Sequence, residues 1–178
     1  DLETNLETLA FPATKTDLNG FDPYADILGD GWETFTEFLL RVYGYHPSIG
    51  IVDVTVCTPG TPGIDFYGYG LNGYPGTVQA KYKGKSKAWR LELAEGKDMK
   101  LVKCVAESQN NWGVRIVDDK NMIVVTNATG IVWWTKDATF HKLGCVGRKD
   151  IKKLTDNNPM FWDALRNSIT SANAKVTF

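Results

Sequence analysis

The 178-residue chain is poor in the residues that build metal clusters and disulfides, and it has no long apolar run. Its three cysteines (Cys57, Cys104 and Cys145) are too far apart for a CxxC metal pair, and its two histidines are isolated. An odd number of cysteines without a secretory signal favours buried, reduced thiols in a cytoplasmic protein. No apolar segment approaches the roughly 20 residues that a membrane-spanning helix needs, so we expect no membrane association.

Several catalytic signatures are also absent. The sequence has no Gly-rich phosphate-binding loop, no HExxH pair and no nucleophile elbow, which argues against an NTPase, a zinc protease or a hydrolase with a serine triad. The first residues lack the basic and apolar regions of a signal peptide. The chain begins with Asp1 rather than Met, which is compatible with a domain of a larger parent protein that carries a helicase, recognition or replication domain.

Charge is distributed unevenly along the chain, although the net charge is only −1. Residues 1–40 carry nine acidic residues and one basic residue, whereas residues 81–103 carry eight basic and three acidic residues. A basic cluster of this kind attracts a phosphate backbone, but a solvated protein surface has the same composition. The charge pattern therefore leaves nucleic-acid binding open without establishing it.

Turn-forming residues and hydrophobic periodicity divide the chain into two parts. Residues 1–29 are rich in Asp, Asn, Gly and Pro and are predicted to form an irregular acidic N-terminal arm. Residues 30–178 are predicted to form a single domain, which begins with a helix over 31–43 that Asp30 caps and Gly44 ends. The chain is thus expected to hold one folded domain behind an acidic arm.

Three short segments rich in β-branched and aromatic residues follow this helix, at 49–57, 63–70 and 76–84. The Asn72-Gly73 dipeptide, which type I′ turns prefer, joins the second and third, so we expect an antiparallel meander. The remaining pattern predicts a helix at 97–112, a buried strand at 121–127, a helical segment at 130–138, a short strand at 140–146 and a helical turn at 150–154. A last helix begins at Pro159 and is capped by Asn158. This order predicts an α/β fold, a sandwich with a central mixed β-sheet flanked by helices.

The residues with the clearest chemical pattern lie in the second and third predicted strands. Asp65 is followed fourteen residues later by Gln79, and Lys81 lies on the same strand face as Gln79 because side chains alternate along a strand. The predicted hairpin brings Asp65 beside them. A carboxylate, a second oxygen ligand and a lysine on one sheet face suit a divalent cation such as Mg²⁺ and an activated water.

Motifs around these residues occur in a characteristic order. The chain carries, in succession, Trp32-Glu33, Leu39-Leu40, Gly44-Tyr45, Gly63-Ile64-Asp65 and Val78-Gln79-Ala80-Lys81-Tyr82. With these motifs it resembles the PD-(D/E)xK nucleases, and especially their Mrr-like restriction endonuclease branch. The resemblance is good over residues 31–127. It implies a restriction-endonuclease-like sandwich that cleaves DNA phosphodiester bonds with Mg²⁺, for which Mn²⁺ can substitute.

The resemblance also implies a role for each site residue. Asp65 would be the principal metal ligand, with the amide oxygen of Gln79 and the carbonyl of Ala80 as further ligands. Lys81 would be the catalytic lysine, and Glu33 would reach a metal-bound water or a second metal from the first helix. DNA phosphates would be contacted by the basic residues that continue from the site strand, Lys83, Lys85, Lys87 and Arg90.

Each of these residues also has a structural interpretation. Asp65 can cap a turn, and Gln79 and Lys81 can face solvent. Glu33 can stabilise a first helical turn through the helix dipole, and Glu37, one turn later, is its alternative. Gln79 stands where most of the superfamily has Asp or Glu, although Gln is common in the Mrr-like branch. The alternative functions are a non-catalytic DNA- or protein-binding module on the same fold, a homodimeric junction resolvase, or a ribonuclease.

Overall fold

The computed structural model describes Asn5 and residues 23–82, 90–93, 99–115, 117–133 and 139–176. Four helices lie in these residues: α1 (Pro23–Tyr43), α2 (Met99–Asn111), α3 (Arg148–Thr155) and α4 (Pro159–Val176). The same residues contain seven strands: β1 (Ile51–Val56), β2 (Phe66–Gly70), β3 (Pro75–Lys81), β4 (Arg90–Leu93), β5 (Met122–Thr126), β6 (Gly130–Trp133) and β7 (Leu143–Val146). None of the helices within these ranges is long and apolar enough to cross a membrane.

Five of the strands form one open sheet with the order β1-β2-β3-β5-β7. β1, β2 and β3 are antiparallel neighbours, and β5 and β7 run parallel to β3. The chain from β3 to its parallel neighbour β5 passes through α2, because parallel strands need a crossover connection. β4 and β6 form a separate parallel pair. The predicted α/β fold with a central mixed sheet and an antiparallel meander is confirmed.

Side chains alternate between the two faces of the sheet, and each face carries its own core. On the face that α1 and α4 cover, here called the α1 face, Val125 packs in one cluster with Trp32 and Trp162. On the opposite face, here called the α2 face, Val124 packs in a second cluster with Cys104 of α2. The strand β5 is buried along its whole length because both of its faces are covered.

Helix α1 begins earlier than the sequence pattern predicts. It starts at Pro23, so the predicted cap at Asp30 was wrong, as was the assignment of residues 23–29 to an irregular arm. Proline suits the first turn of a helix, where its missing N–H has no intrahelical partner. Gly31 does not break the helix because it is buried next to Trp32, and this packing outweighs the cost of about 1 kcal/mol that glycine carries in a helix.

Two other predicted helix ends are confirmed. Gly44 directly follows α1, and its N–H donates a hydrogen bond to the carbonyl of Leu40 (2.8 Å). Asn158 precedes α4, and its Oδ1 accepts a hydrogen bond from the N–H of Phe161 (3.2 Å). Both ends depend on contacts within one turn of chain, which is why local sequence predicts them.

The connection between β2 and β3 differs from the predicted type I′ turn. Gly73 has a φ of +82°, whereas Asn72 has no positive φ, and a type I′ turn needs positive φ at both central residues. The N–H of Gly73 donates to the carbonyl of Gly70 (3.0 Å), and the N–H of Gly70 donates to that of Tyr74 (2.9 Å). This pattern belongs to the three-residue class of hairpin, in which a turn is followed by a left-handed glycine.

The prediction of a helical segment over 130–138 was wrong for the residues that the structure describes there. Gly130–Trp133 is the strand β6, which pairs in parallel with β4 from Arg90↔Gly130 to Leu93↔Trp133. Ile131 and Val132 are β-branched and favour a strand. The sequence pattern did not show this pairing, because β4 has only four residues and lies 37 or more residues from the strand that it joins.

Candidate functional site

The hairpin register brings Asp65 beside the third strand, as the sequence predicts. Asp65 directly precedes β2, its N–H donates to the carbonyl of Val78 (2.9 Å), and its own carbonyl accepts from the N–H of Cys57 (2.9 Å). Its carboxylate Oδ2 accepts hydrogen bonds from Gln79 Nε2 and from the N–H of Ala80, both at 2.8 Å. The backbone of Asp65 is thus held on both sides, and its side chain lies on the α2 face against β3.

The side-chain amide of Gln79 is buried, with only 4% of its surface exposed. Its Nε2 donates to Asp65 Oδ2 and to the carbonyl of Ala80 (3.0 Å), and because both partners are acceptors, the amide nitrogen must face them. Oε1 therefore points the other way, where it is buried without a hydrogen-bond partner among the described residues. An unpaired buried acceptor costs about 1–3 kcal/mol, a cost that contact with a cation would remove.

Lys81 and Glu33 reach this end of the sheet from different elements. Lys81 is the last residue of β3, is partly buried, and shares the strand face of Gln79. Glu33 is exposed on α1, which packs on the opposite face, but its neighbour Trp32 donates from Nε1 to the carbonyl of Val125 (3.0 Å). Since Val125 pairs with Ala80, this bond brings the Glu33 region to the carboxyl end of β3. Asp65, Gln79, Ala80 and Lys81 therefore form one cluster, and the helix that carries Glu33 packs on the opposite face of the sheet near the same end.

The alternative acid on α1, Glu37, is engaged elsewhere. It forms an exposed ion pair with Arg41 one turn later (2.8 Å). Lys83, Lys85 and Lys87, which were predicted to contact DNA, lie outside the described residues, and Arg90 begins β4.

Two cysteines near the site are held as neutral thiols. Burial, together with the negative charge of Asp65, raises the pKa of Cys57 to about 11. Burial also raises the pKa of Cys104 to about 12, with a smaller contribution from Asp65 and an opposing hydrogen bond from Ser108. Both thiols are free and buried, as the cysteine count predicted, while Cys145 is half-buried. Within the described residues no group of three or more His, Cys, Asp or Glu side chains could hold a metal ion.

A cleft of about 370 Å³ opens at the other end of the sheet. It lies where β5 begins and does not include Asp65, Gln79 or Lys81, which lie at or near the carboxyl end of β3. Its polar lining residues include Ser48, Asn72, Asp119, Lys120, Asn121 and Asp150. Because ligands of open α/β sheets bind beyond the carboxyl ends of the strands, the Asp65 cluster is the better candidate for a functional site.

Two exposed tyrosines in the strand that follows Asp65 were not predicted to be functional from the sequence. Tyr67 and Tyr69 of β2 point away from the α1 face, and the buried positions that follow each of them are taken by Gly68 and Gly70. The signal was present in the segment Phe-Tyr-Gly-Tyr-Gly, in which aromatic residues and glycines alternate with the period of a strand.

No protein-family model matches the chain, and neither a curated protein nor a solved structure matches it. Its function therefore has to be inferred from the chemistry of the Asp65 cluster.

Proposed function

We propose that this chain is a metal-dependent DNA nuclease of the PD-(D/E)xK type with its active site at Asp65, Gln79, Ala80 and Lys81. The observation that carries the proposal is the buried amide of Gln79, whose Nε2 bonds Asp65 Oδ2 and the carbonyl of Ala80 and whose Oε1 has no hydrogen-bond partner among the described residues. A buried oxygen that faces no N–H or O–H donor of the described residues suits a cation better than it suits a packed core.

The donor atoms in the cluster fit Mg²⁺, which prefers oxygen ligands. The proposed ligands are the Asp65 carboxylate, the carbonyl of Ala80 and Gln79 Oε1, which would replace Nε2 on their side when the amide turns over to meet the cation. Glu33 of α1 is proposed to complete the set. A bound Mg²⁺ would stabilise negative charge on a phosphoryl oxygen and lower the pKa of a bound water. With only one carboxylate among the inner ligands, the site should bind Mg²⁺ more weakly than a site with two carboxylates. Cleavage is therefore predicted to need millimolar Mg²⁺.

Lys81 supplies the positive charge that the metal ligands do not. Its ammonium offsets the charge of the scissile phosphate and orients the attacking water from the same strand face as Gln79. In the hydrolysis the water oxygen forms a bond to phosphorus, and the bond from phosphorus to one sugar oxygen breaks. One water proton ends on that sugar oxygen, and the other stays on the new phosphate monoester or passes to solvent.

The fold is compatible with this function. A helix, an antiparallel three-stranded meander, a crossover helix and a parallel fourth strand follow in the order that the PD-(D/E)xK resemblance implies. The restriction-endonuclease-like sandwich is part of the proposal, as are DNA contacts by Lys83, Lys85, Lys87 and Arg90.

The direct test is to incubate the purified protein with supercoiled plasmid and with single-stranded circular DNA, in Mg²⁺, Mn²⁺ or EDTA. We expect nicking or linearisation with either metal and none in EDTA, measured on agarose gels. Cleavage that persists in EDTA, or no cleavage of either substrate with either metal, would contradict the proposal.

Replacing Gln79 by Glu tests the metal site without measuring cleavage. Gln79→Glu replaces the amide donor that lies 2.8 Å from Asp65 with a second carboxylate, so like charges meet in a buried site. In EDTA we expect the unfolding free energy to fall by about 2 kcal/mol, because a hydrogen bond is lost and the charges repel. Saturating Mg²⁺ should restore the melting temperature, and it should stabilise this variant more than the wild type.

Gln109→Glu is the matched control, because it adds the same charge on α2 at the other glutamine of the chain. Its melting temperature should not respond to Mg²⁺ more than that of the wild type. Equal responses of Gln79→Glu and Gln109→Glu to Mg²⁺ would speak against a cation at Gln79.

A non-catalytic binding module is the second candidate, and one observation favours it. Gln79 Nε2 and the N–H of Ala80 already satisfy Asp65 Oδ2, so the carboxylate has a structural role without a cation. Such a module would bind DNA equally well in EDTA and in Mg²⁺ and would leave the plasmid intact.

A further inference from the structure

The strand β2 reverses the usual placement of large and small residues. After Phe66 its inward positions are glycines, while Tyr67 and Tyr69 point outward and are 36% and 51% exposed. Glycine is required at position 68, since a Cβ there would lie 2.4 Å from the carbonyl oxygen of Val52. No such steric constraint applies to Tyr69, because a polar side chain would also fit the exposed side of the strand.

These two tyrosines continue the row of side chains that begins at the proposed active site. Asp65, Tyr67 and Tyr69 alternate along one strand and so lie on the same side, about 7 Å apart at each step. On this side α2 contacts β3 and β5, and Trp112, the residue after the end of α2, has its ring centre 4.6 Å from that of Tyr67. The residues Tyr67 and Tyr69, here called the tyrosine row, remain exposed on this side of the sheet.

Cationic groups flank the tyrosine row. At the far end, the guanidinium of Arg115 lies 3.4 Å from the ring centre of Tyr74, which is itself 44% exposed. Asp118 holds Arg115 there through hydrogen bonds of 2.6 and 2.7 Å, while the guanidinium side chain stays 44% exposed. At the near end, the exposed Lys103 of α2 lies where the helix backbone meets the loop before Asp65.

We propose that the tyrosine row binds single-stranded DNA and leads it into the Asp65 cluster, so that the substrate of the proposed nuclease is a single strand. This inference rests on the proposed function. Exposed aromatic rings on a sheet face stack on unpaired bases, whereas a duplex presents phosphates and hides the faces of its bases. Arg115 and Lys103 then lie at the two ends of the row, where they meet the backbone phosphates.

The test measures binding separately from cleavage. Fluorescence anisotropy with a fluorescein-labelled oligothymidylate in EDTA gives the Kd of the full chain for single-stranded DNA. Tyr69→Ala should raise this Kd about tenfold, the usual effect of removing one stacking ring. Tyr69→Phe, which keeps the ring, should bind like the wild type.

Tyr45→Ala is the matched control, since Tyr45 is 70% exposed and lies in the turn after α1, outside β2. It should leave the Kd unchanged. Circular dichroism melts of all variants check that each is folded, and Tyr69 can be removed safely because half of its surface is already in solvent.

Each of three results would overturn the inference: a Kd of Tyr69→Ala equal to that of the wild type, tighter binding of duplex than of single-stranded DNA, or tighter binding of an RNA strand of the same length. Failure of the proposed function is a separate result. In that case single-stranded DNA still binds through Tyr69 in EDTA, but Mg²⁺ produces no cleavage.

Discussion

Asp65→Ala is expected to abolish metal-dependent DNA cleavage, lowering the rate by on the order of 10³-fold. The variant removes the only inner carboxylate of the proposed metal site. The amide of Gln79 also loses its acceptor at 2.8 Å, so it is no longer held against β2. The measurement is the initial rate of plasmid nicking at saturating Mg²⁺.

The same substitution has a structural cost that must be separated from the catalytic one. Asp65 Oδ2 accepts the N–H of Ala80 at the open end of the hairpin, and losing this partner costs about 1–3 kcal/mol of stability. Asp163→Ala is the matched control, because Asp163 is exposed on α4 and pairs only with a solvent-facing guanidinium among its described contacts. It should cleave like the wild type.

Lys81→Ala is the second site variant. It removes the positive charge of the lysine and keeps the side chains of the proposed metal ligands. We expect cleavage to fall as strongly as in Asp65→Ala, while the Mg²⁺-dependent rise in melting temperature is kept. A folded Asp65→Ala variant that nicks plasmid at the wild-type rate would contradict an active site at Asp65. Loss of nicking in Asp163→Ala would show that the assay reports stability instead of chemistry.

Trp162→Ala is expected to lower the free energy of unfolding by about 3–5 kcal/mol, the range for truncating a buried aromatic residue. Trp162 is 2% exposed and stacks on Phe35 of α1, with ring centres 5.6 Å apart and planes at 15°. Its Nε1 donates to the carbonyl of Thr155 (3.0 Å), which ties α4 to the end of α3. Truncation removes both contacts and leaves a cavity between α1 and α4.

Denaturation in urea measures this effect, with Trp162→Phe and Met160→Ala as controls. Trp162→Phe keeps a ring against Phe35 and loses the hydrogen bond, so it should cost clearly less than the alanine variant. Met160 is 80% exposed on the same helix, and its truncation should be nearly neutral. A Trp162→Ala variant as stable as Met160→Ala would mean that α4 contributes little to the core on the α1 face.

Much of the fold could be predicted because its signals are local. The helix at Met99–Asn111, the buried strand Met122–Thr126 and the cap at Asn158 each follow from periodicity or from one side chain within a few residues. The proximity of Asp65 to Gln79 followed from a hairpin with a short turn, where register is set by the loop. These features need no knowledge of the rest of the chain.

Other features depended on contacts between distant segments and escaped prediction. The extension of α1 back to Pro23 depends on burial of Gly31 and Trp32 against the sheet, which outweighs local propensity. The pairing of β4 with β6 joins two segments of four residues, each too short to signal a strand alone. The small residues that alternate with Tyr69 are explained by how closely β1 approaches Gly68 and the side chain of Asn121 approaches Gly70.

The sequence by itself determined the chemical content of the candidate site: a carboxylate, an amide, a lysine and the hairpin that joins them, because all four lie within seventeen residues. Only the tertiary structure decided that Gln79 Oε1 is buried without a partner among the described residues, and that Trp32 of α1 bonds to β5 beside the carboxyl end of β3. Burial and helix–sheet contacts depend on residues far apart in the chain, so no local pattern encodes them.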